Sequence, residues 1–162
     1  MVDDRFSIRF AEPNDVTLIL ELIKELAVYE KMLDEVVATE DDIRENVFEK
    51  KRVEVIIGEY DSEAVAFALF FSNFSTFLGK PGLYLEDLYI KPEMRGKGLG
   101  KKLFTFLAKL TQERDFKRLE WMCLDWNESS IGFYKKMGAV PMNEWTTYRM
   151  QDEALEELAN HY

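Results

Sequence analysis

The spacing of hydrophobic residues changes several times along the chain, and each change predicts a different element. Residues Phe6 to Phe10 alternate apolar and polar side chains, which predicts a short strand. Pro13-Asn14-Asp15 then supplies breaker and cap residues for a helix, which is predicted to end near Tyr29 to Lys31. The apolar stripe of this helix consists of Ile19, Leu22, Ile23, Leu26 and Ala27.

A second short helix and a β-hairpin are predicted next. Thr39, with Asp42 three residues later, has the spacing of a capping box, so a helix is predicted from there to about Phe48. Val53 to Glu59 and Ala64 to Phe71 are rich in β-branched and aromatic residues. The polar residues between these two segments predict a turn that pairs them antiparallel.

The second half of the chain alternates strands and helices. A loop is predicted at Ser72 to Gly82. The other predicted elements are strands at Leu83 to Ile90 and Leu119 to Leu124, a long helix marked by Leu99, Leu103, Leu107 and Leu110, a short helix at Ser129 to Met137 ended by Gly138, and a last extended segment at Val140 to Met150. A helix between strands implies a parallel crossover, so the predicted fold class is α/β, a mixed, mostly antiparallel twisted sheet flanked by helices. No linker interrupts this order, which predicts a single domain over residues 1–162.

Composition and charge narrow the possible functions. The chain has 162 residues, 47% of them hydrophobic, which suits one domain with its own core. No apolar run reaches the length of about 18 to 20 residues that a membrane span needs. The net charge of −10 favours cationic partners and opposes nucleic acid. Cys123 is the only cysteine, which fits a reducing compartment, so we expect a cytoplasmic protein.

The single histidine, His161, is the next-to-last residue, where a side chain is rarely held in place. Catalytic triads, Cys-His pairs and histidine-rich metal sites are therefore disfavoured, and no metal is expected. Proton transfer must then fall to carboxylates, tyrosines or water. Cys123 lies inside a predicted apolar strand and is interpreted as a buried packing residue rather than a nucleophile.

A glycine-rich segment with four cations lies between a predicted strand and a predicted helix. Its sequence is Arg95-Gly96-Lys97-Gly98-Leu99-Gly100-Lys101-Lys102. Glycines let the main chain approach a ligand, and the start of a helix adds unpaired N–H donors and a positive dipole, which together suit a pyrophosphate. The spacing matches neither a Walker loop nor a dinucleotide fingerprint. An ordinary glycine turn before a surface helix is the alternative interpretation.

With these residues the sequence resembles the GNAT superfamily of acyl-CoA-dependent N-acetyltransferases. Arg95, Gly98 and Gly100 match the family's pyrophosphate signature, Arg/Gln-x-x-Gly-x-Gly/Ala. The resemblance implies that acetyl-CoA is the co-substrate. It also implies two sets of cofactor contacts, namely Leu88, Tyr89 and Ile90 through their main chain to the pantetheine, and Gly96, Lys97, Gly98, Leu99, Gly100 and Lys101 to the phosphates.

The segment Trp126 to Ala139 resembles the GNAT motif that follows the fifth strand. By this resemblance Asn127 contacts the pantetheine arm, Ser129 and Ser130 lie near it, and Tyr134 sits close to the sulfur. A phenol can donate the proton that the departing CoA thiolate needs. Tyr134 is therefore the candidate general acid.

Three segments, Leu26 to Glu30, Leu83 to Asp87 and Trp126 to Ala139, more specifically resemble the spermidine/spermine (diamine) acetyltransferases. This resemblance implies amine contacts from Tyr29, Glu30, Glu86, Glu120, Trp121, Met122 and Glu144. Glu86 is also a candidate catalytic base, because a carboxylate inside an apolar strand needs a partner or a purpose. A solvated residue at a helix end is the alternative interpretation of Glu30.

The leading hypothesis is direct transfer of an acetyl group from acetyl-CoA to a primary amine of a diamine or polyamine within a ternary complex. One alternative keeps this mechanism but uses a lysine-like small amine such as thialysine or ornithine. Two others are a protein-lysine acetyltransferase and a non-catalytic CoA-binding sensor. The resemblance also implies a homodimer. Asp87 is interpreted only as a structural neighbour of Glu86.

Overall fold

The computed structural model describes residues 5–162 and contains a five-stranded sheet. In the order in which they pair, the strands are β1 (Phe6–Phe10), β2 (Glu54–Tyr60), β3 (Glu63–Ser75), β4 (Lys80–Ile90) and β5 (Leu119–Trp121). The first four strands pair antiparallel, and β5 lies parallel to β4. The predicted fold class, a mixed and mostly antiparallel sheet with flanking helices, is confirmed.

The helices of the described residues begin and end close to the predicted positions, apart from the last one. They are α1 (Val16–Tyr29), α2 (Glu40–Ile43), α3 (Leu99–Glu113), α4 (Glu128–Lys136) and α5 (Asp152–Ala159). The predicted capping box of α2 is present, since the Asp42 N–H donates to Thr39 Oγ1 (3.2 Å) and the Thr39 N–H donates to Asp42 Oδ2 (2.8 Å). After α2 the chain continues as a π-helical segment, Arg44–Glu49. Between residues 5 and 162, no helix has both the length and the apolar character needed to cross a membrane.

Contacts within the chain divide it into two compact units, Met1–Met122 and Cys123–Tyr162. The sheet, α1, α2 and α3 belong to the first unit, and α4 and α5 belong to the second. That residues 1–162 make a single functional domain stays a prediction.

The two faces of the sheet are covered by different helices. On one face, α1 and α2 pack on the sheet through a shared core that includes Ile19 of α1 and Tyr89 of β4. On the other face lies α3, whose Phe104 packs on Trp121 of β5 with ring centroids 4.8 Å apart. Each face buries apolar side chains, so β2, β3 and β4 carry continuous rather than alternating hydrophobic runs.

A β-bulge in β4 decides which face its later side chains take. Leu69 pairs with Asp87 and Phe70 pairs with Leu85, so Glu86 is an extra residue without a partner on β3. Consecutive residues of a strand point to opposite faces. The bulge therefore puts Leu85 on the α3 face and Asp87 on the α1 face.

Strands β3 and β4 form a hairpin, and both strands are longer than the sequence predicted. The predicted loop at Ser72 to Gly82 is wrong, because both strands remain paired as far as a turn at residues 76–79. Gly82 permits this close pairing, since a Cβ at that position would lie 2.5 Å from Asn73 Oδ1 and 2.9 Å from Arg118 Cγ. The sequence placed Gly82 at the end of a loop, but in the structure it allows close packing within a strand.

Strand β5 is shorter than predicted and ends at Trp121 rather than at Leu124. Cys123 is half-buried and lies beyond the strand, so the prediction that it packs inside an apolar strand is wrong. Met122 also follows the strand and is 58% exposed. The bulge at Glu86 explains why β5 ends early. A bulge bends its strand, so after Leu85 β4 turns away from β5 and the two strands no longer pair.

In the second unit, α4 ends in a Schellman motif around Gly138, as the glycine predicted. Gly138 has a φ of 92°, and its N–H donates to the carbonyl of Lys135 (3.0 Å). The Ala139 N–H donates to the carbonyl of Tyr134 (3.1 Å). These two bonds fix the backbone of the last turn, which carries Tyr134.

The predicted extended segment at Val140 to Met150 forms no strand, and the helix α5 after it was not predicted. Pro141 lacks an N–H donor, and the polar pair Asn143-Glu144 interrupts the alternation that a strand needs. The signal for α5 was the pair Leu155 and Leu158 at helical spacing, in a segment otherwise rich in acidic residues.

Candidate active site

Strands β4 and β5 separate beside the bulge. They pair only over residues 83–85 and 119–121, and from Glu86 to Ile90 strand β4 pairs with β3 alone. Within residues 5–162, the peptide groups on the other edge of this stretch therefore have no neighbouring strand. Leu88, Tyr89 and Ile90, whose main chain was predicted to contact pantetheine, lie along this open edge.

The glycine-rich segment, residues 95–102, forms an open loop that leads into α3, and we call it the cradle. Gly96 and Gly98 have φ angles of 77° and 79°, which glycine adopts far more easily than other residues, and a Cβ added at either would meet no atom within 4 Å. Gly98 is the N-cap of α3, so the N–H groups of Leu99, Gly100 and Lys101 have no partner inside the helix. These donors and the open space fit the pyrophosphate of acetyl-CoA.

Cations of the cradle lie over aromatic rings of the first unit. Lys97 Nζ is 5.1 Å from the ring centroid of Tyr60, and Lys102 Nζ is 5.5 Å from that of Phe6. A ring face attracts a cation without cancelling its charge, so the contact with Tyr60 leaves the positive charge of Lys97 in place. Leu99 is only 2% exposed, which means that it offers a ligand its backbone N–H rather than its side chain.

Tyr29, which was predicted to contact the amine, lies against Arg95 of the cradle. The guanidinium carbon of Arg95 is 4.5 Å from the centroid of the Tyr29 ring. Tyr89 is buried, and its hydroxyl hydrogen bonds to Glu25 of α1. Burial and this acidic neighbour together raise the pKa of Tyr89 to about 12.

Three carboxylates, Glu30, Glu86 and Asp87, form an acidic cluster at the end of α1 and the bulge of β4. Asp87 is half-buried, and burial raises its pKa to about 6, with further contributions from the charges of Glu86 and Glu30. Burial also raises the pKa of Glu30. Glu86 lies inside the apolar strand β4, as predicted, but its side chain is exposed, so its carboxylate is not confined there. Asp87, which was interpreted only as a neighbour, is the confined carboxylate.

The bulge explains this exchange of roles. Strict alternation from the buried Leu85 would have put Asp87 on the α3 face, and the extra residue at Glu86 turns it towards α1 and Glu30 instead. A sequence signal for the bulge exists, because apolar residues stand at 83 and 85 and then at 88 and 90, which shifts the alternating pattern by one position.

Glu120 belongs to the same face as Asp87, but it is already held by two side chains. Its Oε1 forms an ion pair with Arg118 Nε (2.7 Å) and accepts a hydrogen bond from Asn73 Nδ2 (3.0 Å). Tyr84 is the partner of Glu120 in the pairing of β4 with β5, and burial, together with the charges of Glu86 and Glu120, raises the pKa of Tyr84. Tyr84 was not among the predicted site residues.

Trp121 lies on the opposite face, since neighbours on a strand alternate, and it packs on α3. Glu120 and Trp121 are therefore not brought together by the sheet. Met122, beyond the strand, is exposed.

The second unit carries the remaining predicted residues. Asn127 is the N-cap of α4, and its Oδ1 accepts a hydrogen bond from the Ser130 N–H (3.3 Å). Ser129 lies beside Ser130 in the first turn. Tyr134 is half-buried in the last turn, with its ring centroid 5.8 Å from that of Phe133. Glu144 lies outside the helices of this unit and is exposed.

Comparison with known proteins identifies the family. The sequence model described as the Acetyltransferase (GNAT) family matches residues 19–139. The thialysine N-epsilon-acetyltransferase of Bos taurus is 35% identical over 164 residues, covering 94% of this chain and 96% of that protein. The spermidine/spermine N(1)-acetyltransferase-like protein 1 of Homo sapiens is 30% identical over 96% of this chain, which spans 24% of that protein. The solved structure of an integron cassette protein from the mobile metagenome of V. cholerae superimposes with a TM-score of 0.81 at 26% identity, over 96% of this chain and 98% of that one.

Proposed function

Because this chain belongs to the GNAT acetyltransferase family, we propose that it transfers an acetyl group from acetyl-CoA to the terminal primary amine of a small cation. The observation that carries the choice of a cation is the acidic cluster. Three carboxylates lie together beside the open edge of β4, and the half-buried Asp87 has a pKa raised to about 6. Carboxylates kept close together and partly out of water attract a cation that offsets their repulsion.

A lysine-like amine is our first candidate substrate. The bovine relative, which aligns with nearly its whole length, is a thialysine acetyltransferase, whereas the human relative of spermidine/spermine type is matched over 24% of its length. A diamine or polyamine is the second candidate. It is supported by the number of carboxylates, since a substrate with several ammonium groups is matched better by three acids than by one.

The acidic cluster is proposed to bind the ammonium group and to remove its proton. An alkylammonium has a reference pKa near 10.4, which is about 3.4 units above pH 7. Since each pKa unit corresponds to about 1.36 kcal/mol, removal of the proton at pH 7 costs about 4.6 kcal/mol. Asp87, with its raised pKa, is a stronger base than an ordinary aspartate and is ionised at neutral pH. Asp87 and Glu86 therefore share the role that the sequence assigned to Glu86 alone.

The cradle is proposed to bind the cofactor through main-chain donors. Acetyl-CoA supplies the acetyl group as a thioester. The N–H groups of Leu99, Gly100 and Lys101 would hold its pyrophosphate, with Arg95 and Lys97 as countercharges, and the open edge at Leu88 to Ile90 would hold the pantetheine arm. Asn127, Ser129 and Ser130 are proposed to contact the same arm, which rests on their place in the family motif.

Tyr134 is proposed to complete the proton balance. In the reaction a bond forms between the amine nitrogen and the acetyl carbon, and the bond from that carbon to sulfur breaks. The proton of the attacking amine passes to a carboxylate of the acidic cluster, and the Tyr134 hydroxyl donates a proton to the leaving sulfur. The proposal for Tyr134 rests on its place in the family motif.

Parallel assays of acetyl transfer to thialysine, ornithine, spermidine and putrescine test the proposed function. We expect turnover with at least one of them, and the highest kcat/KM with thialysine or ornithine. A neutralising control away from the cluster, Glu63→Gln at the exposed start of β3, should leave that ranking unchanged. Tight binding of CoA by calorimetry without turnover on any amine would instead identify a CoA-binding sensor.

Assembly and location are separate proposals. We propose a homodimer because the sequence resembles a family that commonly forms dimers. We propose a cytoplasmic location because a single cysteine fits a reducing compartment. A monomer in light scattering at working concentration would remove the first of these.

A further inference from the structure

Arg95 is an exposed residue that is nevertheless held at several points. Its Nε donates a hydrogen bond to the carbonyl of Ile90 (3.0 Å), at the end of β4. Its guanidinium carbon lies 4.5 Å from the ring centroid of Tyr29 and 5.7 Å from that of Tyr89. Within residues 5–162 its terminal nitrogens, Nη1 and Nη2, make no hydrogen bond. The side chain is therefore oriented while its two best phosphate donors stay available.

The end of α1 is itself fastened to β4, which fixes the position of the Tyr29 ring. Glu25 and Tyr29 are four residues apart and so share one face of the helix. Glu25 accepts a hydrogen bond from the buried Tyr89 and lies 3.7 Å from Lys91 Nζ. The ring of Tyr29 is thus presented to Arg95 by a helix anchored one turn earlier.

We propose that Tyr29 is a positioning residue of the cofactor site, which holds the Arg95 guanidinium so that Nη1 and Nη2 point to the phosphates, and that it does not contact the amine. This inference rests on the proposed function, because it assumes that the cradle binds acetyl-CoA. It changes the role that the sequence assigned to Tyr29, from the amine to the cofactor.

The physical reason is the loss of freedom that a long side chain undergoes on binding. An arginine that moves freely must be immobilised when the ligand arrives, and that entropy weakens binding. A ring stacked on one side of the guanidinium, with a carbonyl on Nε, limits this movement beforehand. A carboxylate partner would neutralise the Arg95 guanidinium, whereas the stacked ring leaves its positive charge available to the phosphates.

A double-mutant cycle on CoA affinity, measured by calorimetry, tests this inference. Tyr29→Leu is expected to weaken CoA binding about three- to tenfold, the range of a partly exposed cation–π contact. Arg95→Gln is expected to weaken it about tenfold or more. In the Arg95→Gln background, Tyr29→Leu should have no further effect. Steady-state rates should show a raised KM for acetyl-CoA and an unchanged KM for the amine.

Two further variants separate the ring from the fold of the helix. Tyr29→Phe keeps the ring and should retain wild-type CoA affinity. Val28→Ala changes an exposed neighbour in the same turn and should also have no effect. If Tyr29→Phe is as weak as Tyr29→Leu, or if the two single effects simply add in the double variant, the inference is wrong.

The result for Arg95 distinguishes failure of this inference from failure of the proposed function. If Arg95→Gln and Gly98→Val both leave CoA affinity unchanged in folded protein, the cradle does not bind the cofactor and both ideas fail. If those two variants weaken binding while Tyr29→Leu does not, only the role of Tyr29 is refuted.

Discussion

The cradle and the acidic cluster lie in the same unit and are built in different ways. The cradle is one continuous segment, and its ligand groups are backbone N–H donors whose positions follow from two glycines and the start of α3. The cluster joins side chains from α1 and β4, and their positions follow from a bulge and from the packing between elements. A continuous segment can be recognised in a sequence, whereas a cluster of this kind depends on the whole fold.

The two regions also differ in their response to pH. Peptide donors carry fixed dipoles and do not titrate, so the backbone donors of the cradle are the same on both sides of pH 6. The cluster contains a carboxyl with a pKa raised to about 6, so its charge changes in this range. Cofactor binding and amine chemistry should therefore be separable by mutation and by pH.

The largest expected effect comes from filling the cradle. Gly98→Val should weaken CoA binding by about 10³-fold or more, because it displaces at least two charge-assisted hydrogen bonds of about 1.5 to 3 kcal/mol each. Calorimetry and a thermal melt of the same sample give the affinity and the fold. Gly79→Val is the matched control, since Gly79 also has a positive φ (63°) and open space around it but lies at the β3–β4 turn. If both variants lose CoA binding equally, backbone strain rather than the cradle is responsible.

Removal of the Tyr134 hydroxyl should affect chemistry without affecting the cradle. Tyr134→Phe is expected to lower kcat by about 10²-fold, the scale of a positioned general acid, with CoA affinity nearly unchanged. Steady-state rates and a separate CoA titration measure the two quantities. Near-wild-type turnover would show that Tyr134 is a packing residue.

Neutral variants of the cluster rank its carboxylates. Asp87→Asn should lower kcat/KM for the amine about 10- to 50-fold, and Glu86→Gln about threefold, because the confined carboxylate is the stronger base. Both variants should shift the activity optimum to higher pH, where more of the amine is already deprotonated. Full pH profiles on one amine decide the ranking, and the reverse order would return the role of base to Glu86.

The smallest expected effect is on stability. The folded pKa of Asp87 lies above its unfolded value, so the folded state holds the proton more tightly and loses stability as pH rises to about 6. Asp87→Asn should therefore raise Tm by about 2 to 4 °C at pH 8 and by less at pH 5. Thermal melts at the two pH values measure this difference. A lower Tm at pH 8 would show that ionised Asp87 is stabilised by its surroundings.

Local patterns in the sequence predicted the parts of the fold that local chemistry determines. The strand at Phe6–Phe10, the capping box at Thr39 and the glycine end of α4 at Gly138 depend on a few neighbouring residues, and all three are present. The cradle belongs to this class. Its predicted ligand roles stay predictions, but its glycines and its helix start lie where the sequence put them.

Features that depend on pairing between distant segments could not be predicted in this way. The exposure of Glu86 and the confinement of Asp87 follow from one unpaired residue in the β3–β4 ladder. The contact of Tyr29 with Arg95 joins the end of α1 to the loop after β4, and no pattern in either segment alone indicates it. The end of β5 at Trp121 likewise depends on where β4 bends away.

The bulge also sets how the chain can change in length. The turns at residues 61–62 and 76–79 can gain or lose residues without disturbing the strands that they join. Removal of Glu86 would restore continuous pairing with β3 and leave Asp87 opposite Leu69 on the α1 face, because Asp87 would then directly follow Leu85. The strand would survive such a deletion with Asp87 on the same face, but the acidic cluster would lose one carboxylate and β4 would lose its bend, so the chain can change length at either turn with less effect on the site than at Glu86.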